Sequence, residues 1–477
     1  MRTVAVIGGG FSGSLAAVNL VRLAKTPLQI FLINHGYPLG RGIAYSTTRG
    51  EHLLNVAARN MSAFPEQPNH FVEWLRTRFE YAEVPEADLR EQFMPRRVYG
   101  DYVRGLLFSY GRGDGVSSSR LDCVDGEVLD VVLGSGRAAI VVAGHKTIEA
   151  DKVLLAAGNQ APADVAAQPF DQPRYLVNPW ENLERRLTDR RDNVLLLGAG
   201  LTMIDVFLTL QARDWQGTIT AVSRTGLLPL SHFKGIAYPD FTAEDVATLG
   251  LDALAALVEK HCAQLRARGE NPAIVVDKLR PFTQRIWQGL SVAEKEQFLK
   301  NYRTRWNVTR HRIAQSIHEK LTAAIAAGKL RVVKGKLREL AGSDRHIQMT
   351  VQTGPAGQQE VLQGDWLINC TGPQESFRHS NSILFQNLFG RGLVQADDLD
   401  MGIKVAPDFN VIDGGGYPTD FLYAMGPLLK GTLWETTAVP ELRMQAQRVA
   451  ETILSRLEGG PSPEWAEMYV ELREYSI

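Results

Sequence analysis

The stretch Val4-Ala5-Val6-Ile7-Gly8-Gly9-Gly10-Phe11-Ser12-Gly13-Ser14 decides the fold. Its apolar start reads as a buried strand, and Ser14 to Leu23 carries helical spacing. A second strand-like run, Leu28 to Ile33, follows. Strand, glycine turn, helix and strand open a doubly wound sheet, and each glycine has its own duty. Gly8 permits the tight turn, Gly10 lets backbone approach a pyrophosphate, and Gly13 lets helix and strand pack closely. The helix N-terminus, with Phe11 and Ser12, then offers unpaired N–H groups and the positive dipole end to phosphates.

The same grammar returns at Asn193 to Leu197, turns at Gly198-Ala199-Gly200-Leu201-Thr202-Met203, and continues as a helix from Ile204 to Gln211 and a strand from Thr218 to Val222. Met203 replaces the third glycine, so the helix must stand off or Met203 must fill a gap. The ribose-reading position follows the second strand of such a unit. Asn34 occupies it in the first unit, where an acid is usual, and an amide bonds a hydroxyl without charge assistance. Arg224 stands as far after Gly198 as Asn34 does after Gly8, 26 residues in both cases (224 − 198, 34 − 8). Ser223 and Arg224 together suit a 2′-phosphate, which favours NADPH over NADH.

Two more runs, Asp151 to Asn159 and Asp365 to Pro373, look like buried strands ending in glycine turns at Gly158 and Gly372. Residues 242–328 read as helical, with a capping-box candidate at Ser291 to Glu294 and helical spacing from Ile313 to Ala327. Strand-like runs from Leu330 to Leu340 and His346 to Gln352 follow, and Gly111 to Ser119 reads as a flexible loop. The expected fold class is α/β. It comprises two Rossmann-like, doubly wound dinucleotide domains, one inserted in the other, with a helical insertion. The first spans 1–165 and 365–477, and the second spans 166–364.

A chain of 477 residues exceeds one hydrophobic core, which stops growing at about 250–300 residues. Net charge of −1 gives no global attraction to nucleic acid or an anionic membrane. No apolar run approaches the ~20 residues of a membrane helix, and the N-terminus has no signal-peptide core. Cys123, Cys262 and Cys370 form no CxxC pair and no zinc spacing, which excludes the usual dithiol chemistry and any metal site of that kind. A reducing, cytoplasmic setting is expected.

Several further stretches carry a specific resemblance. They are Gly40 to Ser46, His52-Leu53-Leu54-Asn55-Val56, Met61 to Pro65, Pro95-Arg96-x-x-Tyr99-Gly100-x-Tyr102, and the Gly198 to Asp205 turn. Trp306, Arg310-His311-Arg312, Gly426-Pro427, Trp434-Glu435 and Val439 to Arg443 complete the set. The chain resembles the FAD/NAD(P)-binding "NAD-binding 9" type, which is similar to two-dinucleotide flavin monooxygenases. The resemblance implies FAD at the first turn, with Gly40, Arg41, Gly42, Ala44, Tyr45, Leu54 and Asn55 against the flavin. It sets Gly426 by the ribityl–pyrophosphate part and NADPH at the second turn. The Asp151 to Asn159 run, with Gly158, is close to an N-hydroxylase signature and serves as fold evidence.

What the resemblance implies for activity is an NADPH-dependent monooxygenase that N-hydroxylates a small amine, such as that of an amino acid, with O₂ through a C4a-(hydro)peroxyflavin. No catalytic side chain announces itself, as expected where the cofactor carries the chemistry. The Baeyer–Villiger fingerprint is missing after Phe233-Lys234-Gly235. Two other readings stay open: a flavin dehydrogenase without oxygen insertion, and a non-catalytic flavin-binding regulator. Arg310, His311 and Arg312 likewise keep two readings. They are a clamp for a substrate carboxylate, or a basic turn that faces solvent or pairs with acids elsewhere.

Overall fold

A computed structural model describes residues 1–111, 118–134, 136–166, 170, 172–343, 345–354 and 357–460. Most of the loop read at Gly111 to Ser119 lies outside the described residues. Two parallel sheets dominate. The first has six strands in the order Asn410–Ile412, Pro418–Ala424, Lys152–Leu155, Arg2–Ile7, Leu28–Asn34, Arg120–Asp125, parallel except for the pairing of the first two. The second has five, in the order Leu330–Lys334, Ile219–Ser223, Val194–Leu197, Trp366–Asn369, Tyr175–Leu176, and is wholly parallel. Strands buried on both faces need near-continuous apolar sequence, as Val4 to Ile7 and Val194 to Leu197 supply. In the second sheet, Val194, Leu196 and Ile368 enter one core and Leu195, Leu197 and Leu367 the other, following the two-residue period of a strand.

The internal repetition runs deeper than the glycine turns. Each unit continues from its third parallel strand into a three-stranded antiparallel meander. These are Val128–Leu133, Ala138–Val142 and Ile148–Ala150 in the first, and Lys336–Gly342, Ile347–Gln352 and Gln359–Gly364 in the second. A return strand then inserts beside the glycine-turn strand, pairing Ile7 with Leu155 and Leu197 with Asn369. The two Asp-to-Gly runs are these return strands. Asp151 accepts the backbone N–H of Thr3 at 2.7 Å, and Asp365 accepts that of Asn193 at the same distance. Each aspartate therefore pins the start of the strand that feeds its glycine turn.

Trp366–Asn369 consequently belongs to the second sheet and not to the returning part of the first domain, which corrects the boundary read at 365. The run from Leu330 also divides. The break falls at Gly335, where a Cβ would lie 2.3 Å from Val351 Cγ1, and Lys336 onward joins the meander. Between strands Ile219–Ser223 and Leu330–Lys334, residues 243–326 form a chain of helices with two small cores, one of them shared with Met401 and Trp434. Ser291 caps Val292–Asn301 through the expected box with Glu294. No helix among the described residues is long and apolar enough to cross a membrane.

Candidate functional site

The first glycine turn opens a cleft at the C-terminal ends of Arg2–Ile7, Leu28–Asn34 and Lys152–Leu155. Gly8, Gly10, Phe11, Ser12, Asn34, Arg41, Gly42, Ala44, Tyr45 and Gly158 all line it. Gly8 has φ +113°, and a Cβ there would lie 2.3 Å from the Ala156 carbonyl oxygen. Gly10 and Gly42 face each other so closely that a Cβ on Gly42 would come 3.0 Å from Gly10 Cα. The helix Phe11–Leu23 has no side-chain cap, so its first N–H groups remain available to an anion. Backbone cradle, bare helix start and absent side chains fit the pyrophosphate of a dinucleotide such as FAD.

Asn34 donates its Nδ2 to the Tyr37 carbonyl at 2.8 Å, and Oδ1 is the side-chain acceptor that remains. That side chain packs on Gly9, where a Cβ would lie 2.6 Å from Oδ1. Gly9 was not singled out in the sequence, although an unbroken glycine triplet hints that its middle member is also constrained. Thr437 and Leu442 line the cleft too; Leu442 falls in the Val439 to Arg443 stretch that carries the resemblance, and nothing local in the sequence marks Thr437.

Five expected residues stand elsewhere. Gly13 packs under the turn, Gly40 donates its N–H to the Gly9 carbonyl at 2.8 Å, and buried Gly426 lies against Ser12 Oγ. Leu54 is buried with its N–H on the Met94 carbonyl at 2.8 Å. Asn55 faces a different cavity, described below.

In the second unit Gly198 repeats Gly8: φ is +117°, and a Cβ would lie 2.4 Å from the Cys370 carbonyl oxygen. Nothing lies within 4 Å of a Cβ on Gly200, so the turn is open on the side a ligand would approach. Leu201 and Thr202 begin an uncapped helix, Leu201–Ala212. Met203 is fully buried in the core with Ala199 and Cys370 and fills the gap that the missing glycine leaves. Ser223 closes its strand, with Oγ accepting the Gly226 N–H at 3.0 Å. Arg224 is exposed and has no hydrogen bond or ion pair among the described residues.

Family-like residues outside the turns hold the two units together. Arg96 Nη1 meets Asp205 Oδ2 at 2.7 Å, joining the first domain to the helix that begins at the second turn. Buried His52 reaches the same helix, with Nε2 at 2.9 Å from Thr209 Oγ1 and Nδ1 at 2.8 Å from Thr47 Oγ1. Tyr99 and Tyr102 are core side chains.

A second cavity lies where both domains meet the helical segment. Arg310, His311 and Arg312 line it, with Asn55, His232 and Lys234. Thr437 of the first cleft is followed directly by Ala438 of this cavity. Arg310 ends the helix Arg303–Arg310, a terminus that favours positive charge, and all three residues precede Gln315–Ala326. The solvent-facing alternative is therefore removed. Arg312 and Arg310 are buried, and Arg312 Nη2 meets both oxygens of Asp277 at 2.7 and 2.8 Å. Arg310 lies 3.4 Å from Glu435 and 3.7 Å from Glu441, while Arg280 meets Glu441 at 3.1 Å. Trp306 donates Nε1 to Glu435 at 3.0 Å. These pairs tie the helical segment to the C-terminal strand-and-helix region that lines the first cleft.

Burial pushes the His232 imidazole down to about 4, with Arg312 adding to the shift, and burial likewise pushes His311 down to about 4. His232 donates Nε2–H to the Asn55 carbonyl at 2.9 Å. Both rings are thus neutral at physiological pH. Their NMR ring-carbon resonances should hold neutral-form positions from pH 8 to pH 5. Because the unfolded chain binds those protons first, each ring withdraws stability as pH falls from the unfolded value near 6.5 toward 4. Titration of either ring near pH 6.5 would contradict the assignment.

Two parallel sheets, each with its own glycine turn and return strand, give the chain the fold of the FAD/NAD(P)-binding oxidoreductases. Residues 5–160 match the family NAD_binding_9, described as FAD-NAD(P)-binding. No curated protein matches the sequence. Among solved structures, the reduced form of ornithine hydroxylase PvdA from Pseudomonas aeruginosa is similar at 14% identity, with TM-score 0.63, over 96% of this chain and 100% of that one. L-lysine 6-monooxygenase from Pseudomonas syringae is similar at 15% identity and TM-score 0.61, over 96% and 99%. Bacillithiol disulfide reductase Bdr from Staphylococcus aureus is similar at 13% identity and TM-score 0.55, over 96% and 99%. At such identities the likeness is one of fold.

Proposed function

We propose that this protein is an NADPH-dependent FAD monooxygenase that N-hydroxylates the amine of an amino acid or a related small molecule. The observation that carries the reading is the pairing of a flavin-type cleft with a second, basic cavity one residue further along the chain, at Thr437 and Ala438. Likeness to ornithine and lysine hydroxylases along almost the whole chain supports it. Disulfide reduction fits less well, because Cys123 is exposed while Cys262 and Cys370 are buried and none is paired. The overall reaction balances as amine + O₂ + NADPH + H⁺ giving hydroxylamine + NADP⁺ + H₂O.

Bound flavin supplies hydride acceptance and activation of O₂. The chain supplies binding and orientation. Phe11 and Ser12 at the first helix start hold the pyrophosphate, Asn34 Oδ1 takes a ribose hydroxyl, and Arg224 with Ser223 takes the 2′-phosphate of NADPH. Arg96, Asp205 and His52 position the second helix against the first domain. Neutral His232 and His311 leave a substrate amine free of competing imidazolium charge.

The test is a spectrum of the purified protein followed by an NADPH-oxidation screen against amino acids and their amines, with analysis for hydroxylamine. Colourless protein that FAD cannot reconstitute would refute the flavin assignment. Anaerobic turnover with an artificial acceptor, and no oxygenated product, would replace the monooxygenase by a dehydrogenase. Protein that binds FAD but resists reduction by NADPH would leave only a regulatory flavoprotein. Arg224→Ala should lower kcat/KM with NADPH roughly 10- to 100-fold, from the loss of one charged hydrogen-bonding group, while NADH is little affected. Equal losses with both nucleotides would remove the 2′-phosphate argument.

A further inference from the structure

The two dinucleotide units differ in charge at a place that neither glycine turn contains. Gly8 donates its N–H to the Ile33 carbonyl at 2.8 Å, and Gly198 donates to that of Val222 at 2.7 Å. Asn34 and Ser223 therefore hold equivalent places. Counting from the glycine matches Asn34 with Arg224 instead, because the first unit is one residue longer between these points (33 − 8 against 222 − 198). Arg224 thus stands one place beyond the ribose-reading position. On the next strand outward, Asn34 pairs with Asp125 and Ser223 pairs with Lys334. The third strands of the two units end on opposite charges.

Lys334 also shares the sheet face that serves the second turn. Ile219, Ala221 and Leu330 enter the core beneath helix Leu201–Ala212, whereas Val222 and Val333 enter the core on the other face. The two-residue period of a strand then turns Ser223 and Lys334 to the helix side. Gly335 donates its N–H to the Ser223 carbonyl at 2.8 Å, and a Cβ on Gly226 would lie 3.0 Å from Lys334 Cβ. The turn after Ser223 therefore rests on the base of the Lys334 side chain. Ser223 Oγ accepts the Gly226 N–H at 3.0 Å, which keeps its own hydrogen for a ligand acceptor. Arg224 and Lys334 are both exposed, and neither has a hydrogen bond or ion pair among the described residues.

We infer that Lys334 is a specificity-determining residue of the second unit, which joins Arg224 in a two-cation seat for the 2′-phosphate that separates NADPH from NADH. The inference rests on the NADPH reading above and extends it to a strand that the glycine turn does not touch. A phosphomonoester carries about −1.5 to −2 charges at pH 7, which one guanidinium leaves partly unbalanced. An ammonium on a flexible stem supplies the rest as a point charge, without the fixed fork of arginine. FAD has no 2′-phosphate, so the first unit tolerates the acid at Asp125. An acid at the place of Lys334 would repel that phosphate from the second.

Calorimetric titration of the oxidised holoprotein with NADP⁺ and with NAD⁺ reads this without turnover. The wild type should bind NADP⁺ at least about tenfold more tightly than NAD⁺. Lys334→Met should weaken NADP⁺ roughly 5- to 20-fold and leave NAD⁺ unchanged, as the loss of one charged contact near the surface predicts. Lys334→Asp, which copies the first unit, should bring the two affinities within about twofold of each other. Lys329→Met removes a charge at the far end of the same strand and should change neither. The wild-type preference should also grow with pH as the 2′-phosphate takes its second charge near about pH 6, and Lys334→Met should flatten that rise. A wild type that prefers NADP⁺, with the preference undiminished in Lys334→Met, would overturn the role of Lys334 and leave the NADPH reading standing. Equal weakening of both nucleotides in that variant would reduce Lys334 to a structural part and overturn the role as well. Equal binding of the two nucleotides by the wild type would refute the NADPH reading itself, and the seat with it.

Discussion

Gly13→Val is expected to yield protein without flavin and with sharply lowered stability. A Cβ at position 13 would lie 1.9 Å from the Gly8 carbonyl oxygen and 3.2 Å from Ala156 Cβ. The first obstacle is backbone in the tightest part of the turn, so no rotamer change relieves it. Strand Arg2–Ile7 and helix Phe11–Leu23 must separate, and the helix start then moves away from the cleft it serves. Overpacking commonly costs 1–3 kcal/mol, and a backbone clash of this depth belongs at or beyond about 3 kcal/mol. Flavin absorbance per protein and a thermal melt measure both effects. Gly50→Val is the control, since nothing lies within 4 Å of a Cβ there. Stoichiometric flavin in Gly13→Val would show that helix and strand are not closely packed through this glycine.

The second unit supplies the counterpart. Met203 occupies the equivalent place and is fully buried, so the same topology there accepts a large side chain. The sequence displayed this difference, and it left open whether the helix stood off or the side chain filled space. The two glycine turns, the strand after each and the capping box were legible because their signals are local: short spacing, period and a cap three residues apart. The meanders and the place of Trp366–Asn369 were not. Parallel pairing across more than a hundred residues leaves no local mark, and an apolar run before a glycine reads alike in either sheet. The same holds for Arg96 with Asp205, His52 with Thr209, and Arg310 with Glu435. Each of these residues appeared in the sequence as a charge, ring or hydroxyl of unknown exposure, and burial, which gives the contacts their energy, is a property of the assembled chain. Arg310-His311-Arg312 shows the consequence most clearly. Its basic character was plain, but only the fold shows that it is both paired with acids and turned toward a cavity.

That double character makes Arg312→Met the most costly side-chain deletion expected outside the glycine turns. Asp277, 6% exposed at its side chain, already has its carboxyl pushed up by burial, and Arg312 is the largest influence holding it down. Arg310 and Arg280 oppose the shift more weakly. A buried carboxylate that loses its partner costs about 3–5 kcal/mol, which is a large part of the roughly 5–15 kcal/mol that holds a domain folded. The sign of the pH dependence follows from the raised value. In the folded variant Asp277 binds its proton more tightly than in the unfolded chain, so acidification favours the fold by protonating the stranded group. Relative to the wild type, the deficit should therefore be largest near pH 7.5. It should narrow toward pH 5.5 by at most about 1.4 kcal/mol per pH unit once below the variant's Asp277 value. Arg312→Met/Asp277→Leu should recover most of the loss at both pH values, because no charge is left stranded and the space is refilled with apolar groups. Urea unfolding of the three proteins at the two pH values decides the matter. A single-variant loss under 1 kcal/mol, or one that does not change with pH, would mean that Asp277 is solvated or otherwise paired. A fully stable single variant would also mean that the Arg312–Asp277 pair does not stabilise the cavity wall.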